Sequence, residues 1–364
     1  MQPGNHVNIL KLAAVTIFLL AVISTLHVLY QDATMTTKAL KQVPLIIVAW
    51  TGYFGSSLKV PLVPTLADCD YKCLIIERAE QKNYDQKPSA FVLHGRNIND
   101  SDLPERNTQQ LAVLFLLESP YHAGGGISKV PPNFFNATMT YRRDSRYFYP
   151  YGYFPPITAR TPANQKITQQ MITDAMKRKT RGSLIFVSNC KTPSKREVLI
   201  RELGQYTQVT VRGKCQDKLS VSNTTTAANC KVDCDDNGLI ATHRFYLSFE
   251  NSLCNDYITE KFFLRISQML VPVVMKRKTY EDYGIPPDSF IALSDFNSVA
   301  ELADYLNYLR DNDQAYLEYF NWTKSYAKPS GYVGNAACRL CEDLHRKERL
   351  VVNNIVKYYK DNQC

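Results

Sequence analysis

The stretch YLSFENSLCNDYITEKFFLRISQMLVPVV, residues 246–274, carries one complete strand–helix–strand unit. Extended back by one residue, FYLSFEN (245–251) is apolar and aromatic and ends in polar residues, as a buried strand does where it leaves its sheet. A loop leads into helical spacing over about 257–270, and VPVVM (271–275) follows directly as the next strand. Units of this length fold as crossovers in a parallel, doubly wound sheet. Such sheets bind ligands at the carboxyl ends of their strands. Polar residues gather there: Glu250 and Asn251 after the strand, then Tyr257, Glu260 and Lys261 around the helix start. A helix N-terminus favours anions through its free N–H groups and dipole. Lys261 adds a charge for phosphate, Tyr257 a hydroxyl donor, and Glu260 an acceptor suited to vicinal hydroxyls. The same residues also read as a solvated helix start with an ordinary Glu–Lys surface pair, and the pattern alone leaves both open.

The unit repeats on either side. SLIFVSN (183–189) is a strand followed by a helix from about 194 to 206, with Arg196 just beyond the strand end. Arginine suits phosphate because its planar fork donates twice. QVTVRG (208–213) is the next strand, then a Cys- and Asn-rich loop; helical spacing resumes over 297–320. In the first half, PLIIVAW (44–50), CLIIE (73–77), AFVLH (90–94) and LAVLFLLE (111–118) are short apolar runs bounded by turn residues. Strands apolar on both faces imply sheets covered by helices. Residues 129–165, rich in proline, read as an irregular crossing. Two α/β halves facing a cleft are expected, 44–165 and 166–335, followed by a C-terminal segment, 336–364.

The chain has 364 residues, 45% hydrophobic and 21% charged, with 43 basic against 34 acidic side chains and a formal charge of +9. That excess could draw nucleic acid, an anionic membrane or a phosphorylated small molecule, and does not choose among them. Residues 12–30, LAAVTIFLLAVISTLHVLY, carry no formal charge. As a helix they would reach roughly 28 Å, close to a bilayer's hydrocarbon core. A signal-anchor is expected there, with 1–11 as a cytoplasmic tail, 31–43 as a stem and the body on the lumenal side. A cleaved signal peptide is the rival, but no convincing cleavage site follows. Ten cysteines and four N-x-[ST] sequons, at Asn99, Asn136, Asn223 and Asn321, agree with a secretory compartment, where nucleic acid is not a partner. The close pairs Cys69/Cys73, Cys230/Cys234 and Cys338/Cys341 are expected as local disulfides, and Cys190–Cys215 as a fourth because their strands should be neighbours. Cys254 and Cys364 stay unassigned. A redox or zinc role for the CxxC at 338–341 is the competing reading. There is no clear DxD motif, and DCDD (233–236), in a cysteine-rich loop, reads as surface acid.

The run 246–274 closely resembles the signature of the α1,3/4-fucosyltransferases, roughly FYLxFENSxxxDYITEKxxxNAxxxxxVPVV. TYRRDSRYFYPYGYF (140–154) is similar to that family's SYRRDSDxxxPYG, and ESPYH (118–122) to its ESPxH; FVSNC, the later Arg196 and the terminal CxxC also match. The resemblance spans about 44–350. It implies a GT-B fold, with two Rossmann-like halves, acceptor side first and GDP-fucose side second, behind a type II anchor in the Golgi membrane. By the same resemblance Asn251 and Tyr257 contact the donor diphosphate, Glu260 binds the ribose hydroxyls, Lys261 and Arg196 bind phosphate, and Glu118 is the general base. Two departures touch this pattern. Arg265-Ile266 stands near the family's Asn-Ala, and LHGRN (93–97) replaces its HHRD, leaving His94 and Arg96 as cleft candidates on an altered acceptor side. Arg142 and Arg143 could bind phosphate or lock an interdomain salt bridge.

The family's donor is GDP-β-L-fucose and its product an α-linkage, so one inverting displacement is implied. That step needs a base for the acceptor hydroxyl and positive charge for the leaving diphosphate. Glu118, at the end of LAVLFLL, could supply the first, and Lys261, Arg196 and the helix N-terminus the second. A metal clamp is then unnecessary, although stimulation by a divalent cation is compatible. Glu118 could instead pair with Arg142 or Arg143 as a structural carboxylate. The expected partners are GDP-fucose, a GlcNAc-containing glycan on glycoprotein or glycolipid, and the membrane, with a homodimer allowed. Fucosylation of the core GlcNAc of N-glycans and an inactive membrane-tethered lectin on the same fold are the two competing functions.

Overall fold

The computed structural model describes residues 22–27, 43–226, 229–230, 232–331 and 334–364. Of the expected span, 22–27 are helical; the tail, the rest of the span and residues 31–42 of the stem lie outside the described residues. Among the described residues no helix is long and apolar enough to cross a membrane.

The four apolar runs of the first half become parallel strands β1 Leu45–Ala49, β2 Cys73–Glu77, β3 Ala90–His94 and β4 Leu111–Leu116, and the stretch 129–165, expected as an irregular crossing, adds two more to the same sheet, β5 Ala137–Thr140 and β6 Tyr147–Phe148. Their order is β2-β1-β3-β4-β5-β6. All six residues of β4 are buried, as a strand covered on both faces requires. The second sheet holds β7 Arg181–Phe186, β8 Val209–Arg212, β9 Thr224–Thr225, β10 His243–Leu247, β11 Val271–Val274 and β12 Ile291–Ala292. Its order, β9-β8-β7-β10-β11-β12, is the 3-2-1-4-5-6 arrangement of a dinucleotide-binding sheet. The order reverses between β7 and β10, which pair in parallel with Ser183 opposite Phe245. The segments leaving these two strands carry the candidate phosphate-binding residues, so topology alone places them together.

Helix α1, Arg196–Tyr206, follows β7, and α2, Glu260–Ser267, follows β10. Thr259 caps α2 by accepting from the Lys261 N–H, and Glu260 sits in the first turn, where the dipole favours a carboxylate. Phe262, Phe263 and Ile266 form its buried face. The helix stops when Met269 takes φ +60°, and β11 begins two residues later. Helix α3, Val299–Asp311, buries Leu302, Leu306 and Leu309, three of the four apolar positions its spacing marks; Val299 completes that face. Gly152, in the PYG triplet, has no room for a side chain, because an added Cβ would lie 2.5 Å from the Phe263 ring. The 140–154 block is thereby pressed against α2.

The C-terminal segment completes the first half. Helix α4, Ala336–Arg346, and α5, Ile355–Lys360, send Ala336, Ala337, Leu340, Ile355 and Tyr359 into the core that holds β1–β5. Two disulfides fix it there, and they correct the expected local pairings. Cys69 bonds Cys338 and Cys73 bonds Cys341. Cys338 and Cys341 sit three apart on α4, so both sulfurs project from one helix face. That face packs beside the edge strand β2, which begins at Cys73. Each cysteine therefore finds its partner across the contact and not along the chain. Cys190–Cys215 and Cys230–Cys234 pair as the sequence suggests, and Cys254 bonds Cys364. With both its sulfurs in disulfides, the CxxC has no free thiol for redox exchange or zinc.

Candidate active site

The second half's part of the site is built around a buried carboxylate. Glu250, 4% exposed, follows β10. Its Oε1 accepts from the Thr259 N–H (2.9 Å) and hydroxyl (2.7 Å), which staples the strand end to the start of α2. Its Oε2 lies 3.2 Å from Lys261 Nζ, which also sits 3.2 Å from Glu260 Oε1 and donates to Thr259 Oγ1 at 2.9 Å. Burial works against the Lys261 charge, but Glu250 and Glu260 outweigh it and hold the ammonium above the ordinary lysine value. Burial likewise pushes Glu250 up, with Lys261 opposing. Burial would raise Glu260 too, yet Lys261 more than offsets it and the carboxyl lies below its usual range.

Arg196 enters from β7. Lys195 takes φ +54°, so the chain turns sharply and Arg196 becomes the first residue of α1. It is 4% exposed; Nη1 donates to the Phe249 carbonyl at 2.8 Å, while Nε has no partner among the described residues. Asn251 shares the neighbouring turn: its carbonyl accepts from the Ser194 N–H at 3.2 Å and its Oδ1 from the Ser252 hydroxyl at 3.1 Å. Tyr257 is buried edge-on to Tyr141, with ring centroids 5.0 Å apart, and packs into the core of the first half.

The facing carboxylate comes from β4. Glu118 lies two residues past the strand, and its neighbours fix it by the backbone: the Tyr151 hydroxyl donates to the Leu117 carbonyl at 2.7 Å and the Tyr359 hydroxyl to that of Glu118. Its side chain, 21% exposed, has Oε1 3.9 Å from Arg96 Nη1. Burial raises its pKa; Arg96 and Lys261 pull it back, and Glu260 and Glu250 push it further up. Besides Arg96 of its own half, the charges that act on Glu118 are Lys261, Glu260 and Glu250 of the second, so both halves contribute to its electrostatics. The structural pairing of Glu118 with Arg142 or Arg143 does not form.

Those two arginines hold the fold. Arg142, 6% exposed, grips Asp144 with Nε and Nη2, donates to the Tyr358 carbonyl and lies 4.0 Å over the Tyr358 ring. Arg143 crosses between the halves, from Nε to Asp256 Oδ1 at 2.7 Å and from Nη1 to the Asp282 carbonyl. Arg96 stays with Glu118, its guanidinium 5.3 Å over the Phe54 ring. His94 is fully buried, with Nδ1 2.5 Å from Asn97 Oδ1 and its ring edge-on to both Tyr53 and Phe54, so it is a core residue and not the cleft group the sequence suggests; burial lowers its pKa.

Several participants carried no assigned role in the sequence reading. Glu250 and Thr259 lie inside FEN and YITEK but look like ordinary strand-end and capping residues. His122, the last residue of ESPYH, brings Nδ1 within 3.1 Å of Ser119 Oγ and 3.3 Å of Ser252 Oγ, and Nε2 within 3.4 Å of Asn189 Nδ2, tying the halves together. Among the sequons, Asn99, Asn223 and Asn321 are exposed. Asn136 is half-buried, accepting from the Ala112 N–H at 2.9 Å and donating to the Leu350 carbonyl, so its amide is committed to the fold.

Residues 42–152 match the fucosyltransferase N-terminal family profile, and 176–359 that of glycosyltransferase family 10 (fucosyltransferase), C-terminal part. The chain is 36% identical over 241 residues to alpha-(1,3)-fucosyltransferase fut-1 of Caenorhabditis elegans, covering 66% of this chain and 52% of that protein. To the human 4-galactosyl-N-acetylglucosaminide 3-alpha-L-fucosyltransferase FUT6 it is 31% identical over 345 residues, covering 91% of this chain and 86% of that one. The chain thus spans about half of the first relative and most of the second. A solved alpha1,3-fucosyltransferase with GDP-fucose is 15% identical, with a TM-score of 0.49 over 84% of this chain and 91% of that one.

Proposed function

The chain belongs to glycosyltransferase family 10, the fucosyltransferases, and on that footing we propose that it transfers L-fucose from GDP-β-L-fucose, in α1,3 linkage, to GlcNAc of a glycan acceptor. The observation that carries this reading is that Glu118, just past the end of β4, lies in the field of Lys261 from the second half, while the neighbouring His122 feels Arg96, Lys261 and Arg196 together, around a 3-2-1-4-5-6 switch point. Lys261 and Arg196, with the N–H groups opening α2, neutralise the leaving diphosphate. Asn251 and Tyr257 line its approach, and Glu260 takes the ribose hydroxyls. Glu118 removes the proton of the acceptor hydroxyl as that oxygen attacks the anomeric carbon from the face opposite the diphosphate, so configuration inverts in one step. Its raised pKa brings it nearer the operating pH, where a general base works best.

A lactosamine-type acceptor is the leading choice, supported by the name of the human relative, which specifies a 4-galactosyl-N-acetylglucosaminide. All ten cysteines are paired and three sequons are exposed, which supports a lumenal, Golgi-membrane enzyme anchored through 12–30. The test is transfer from GDP-fucose to a panel of free lactosamine glycans and N-glycan cores, with GDP affinity measured by calorimetry. Fucosylated lactosamine is expected. Transfer to the core GlcNAc alone would change the acceptor, and GDP binding without transfer to any glycan would leave only a lectin-like role.

A further inference from the structure

The last ten residues touch both halves of this site. Ile355 and Tyr359 anchor α5 in the first core, 0% and 1% exposed. The Tyr359 hydroxyl donates to the backbone carbonyl of Glu118. Beyond α5 the chain crosses to the second half: the Gln363 carbonyl accepts from the Asn255 N–H at 2.7 Å, the Asn362 carbonyl from the Asn255 amide at 3.0 Å, and Cys364 is bonded to Cys254. Cys254 stands midway between Asn251 and Tyr257, in the loop that joins β10 to α2. Cys254 and Tyr257 are themselves buried in the core of the first half. Arg142 holds the strap from the side through the Tyr358 carbonyl and ring, and Arg143 holds Asp256 in the same loop.

We propose that this C-terminal strap is a positioning device for catalysis, in which the Cys254–Cys364 bond sets the donor loop for GDP-fucose and Tyr359 sets the backbone of Glu118. The proposal rests on the fucosyl-transfer reading for its kinetic consequences, but its structural premise can be tested apart from it. The loop that carries Asn251 and Tyr257 has no regular secondary structure between Leu247 and Glu260. Its geometry is held by side chains, by the edge of the first half and by this covalent link. Releasing the link lets the loop sample other arrangements, and donor affinity falls in proportion to the time spent in them. The Tyr359 bond acts elsewhere, on the base, so loss of its hydroxyl spares the donor and slows turnover.

The experiment uses the full chain with Cys254→Ser/Cys364→Ser, with Tyr359→Phe, and with the remote Cys230→Ser/Cys234→Ser pair as control. All are assayed at a temperature where circular dichroism shows them folded. For the first variant KM for GDP-fucose should rise about tenfold with kcat little changed, matching a loop that is competent about one part in ten. For Tyr359→Phe kcat should fall about three- to tenfold, the effect of one neutral hydrogen bond, with GDP affinity unchanged. The control should behave as wild type. Hydrogen exchange of residues 251–259, read in the absence of any nucleotide, should accelerate in the first variant only. Unchanged exchange there overturns the proposal even if the protein neither binds GDP nor transfers fucose, a result that would separately refute the functional reading. Accelerated exchange with KM and kcat both at wild-type values also overturns it.

Discussion

Replacing Lys261 probes two effects that the structure allows to be separated. Its ammonium is shared by Glu250, Glu260 and Thr259 within 3.2 Å. In Lys261→Met, GDP loses a charge-assisted hydrogen bond worth about 1.5–3 kcal/mol, or a roughly ten- to hundredfold weaker Kd. The same change strands the Glu250 carboxylate, 4% exposed, without its cation. Breaking a buried pair from one side costs about 3–5 kcal/mol of stability, enough to lower the melting temperature markedly. Glu250→Gln/Lys261→Met removes both charges while an amide oxygen still accepts from Thr259, so stability should largely return. GDP affinity should not. The assay is calorimetry with GDP beside thermal unfolding on wild type, the single variant and the double. Recovery of GDP affinity together with stability in the double variant would refute a phosphate-binding role for Lys261, because its effect would then have been structural.

Arg142→Ala should destabilise by about 2–3 kcal/mol, because it removes a buried guanidinium that bonds Asp144 and the Tyr358 carbonyl and lies over the Tyr358 ring. Arg143→Ala, whose side chain is half exposed, should cost about 1 kcal/mol or less; equal losses in denaturant unfolding would contradict this division. Lys179 is buried against the His243 and Ile240 carbonyls, and burial lowers its pKa from 10.5 to about 7. Between those values the unfolded chain binds a proton that the folded one does not, so stability should rise with pH from about 7 to 10. Lys179→Met should flatten that slope, and an unchanged slope would assign it elsewhere. Peptide mapping after enzymatic deglycosylation should find glycans at Asn99, Asn223 and Asn321 and none at Asn136.

The strands were readable because both sheets are covered on both faces: AFVLH at 90–94 is β3 residue for residue. The long helical stretch at 297–320 was less so. It breaks at Asn312, which caps the next turn by accepting from the Ala315 N–H, and ends in a tighter helix over Glu318–Lys324. Strand-end chemistry was legible too, since Arg196, Asn251 and Lys261 follow strands that the pattern places side by side. What the sequence withheld was contact between distant segments. Cys69 and Cys338 are 269 residues apart, and nothing in a local CxxC says that its partners lie in and just before an edge strand at the other end of the chain. Arg142 and Arg143 illustrate the same limit. Adjacent in sequence and equal in chemistry, they face different partners because they sit in the turn that follows β5, closed by the Ser145 N–H on the Arg142 carbonyl at 3.0 Å.

The central claim is that Glu118 takes the acceptor proton, and Glu118→Gln tests it most directly when turnover and GDP affinity are measured on one purified preparation. The carboxamide keeps the shape and the backbone bonds from Tyr151 and Tyr359 but cannot act as a base. GDP should bind within about twofold of wild type while kcat falls by ~10²–10⁴. Turnover near the wild-type value would pass the base role to another group, and loss of GDP binding would make Glu118 a structural carboxylate.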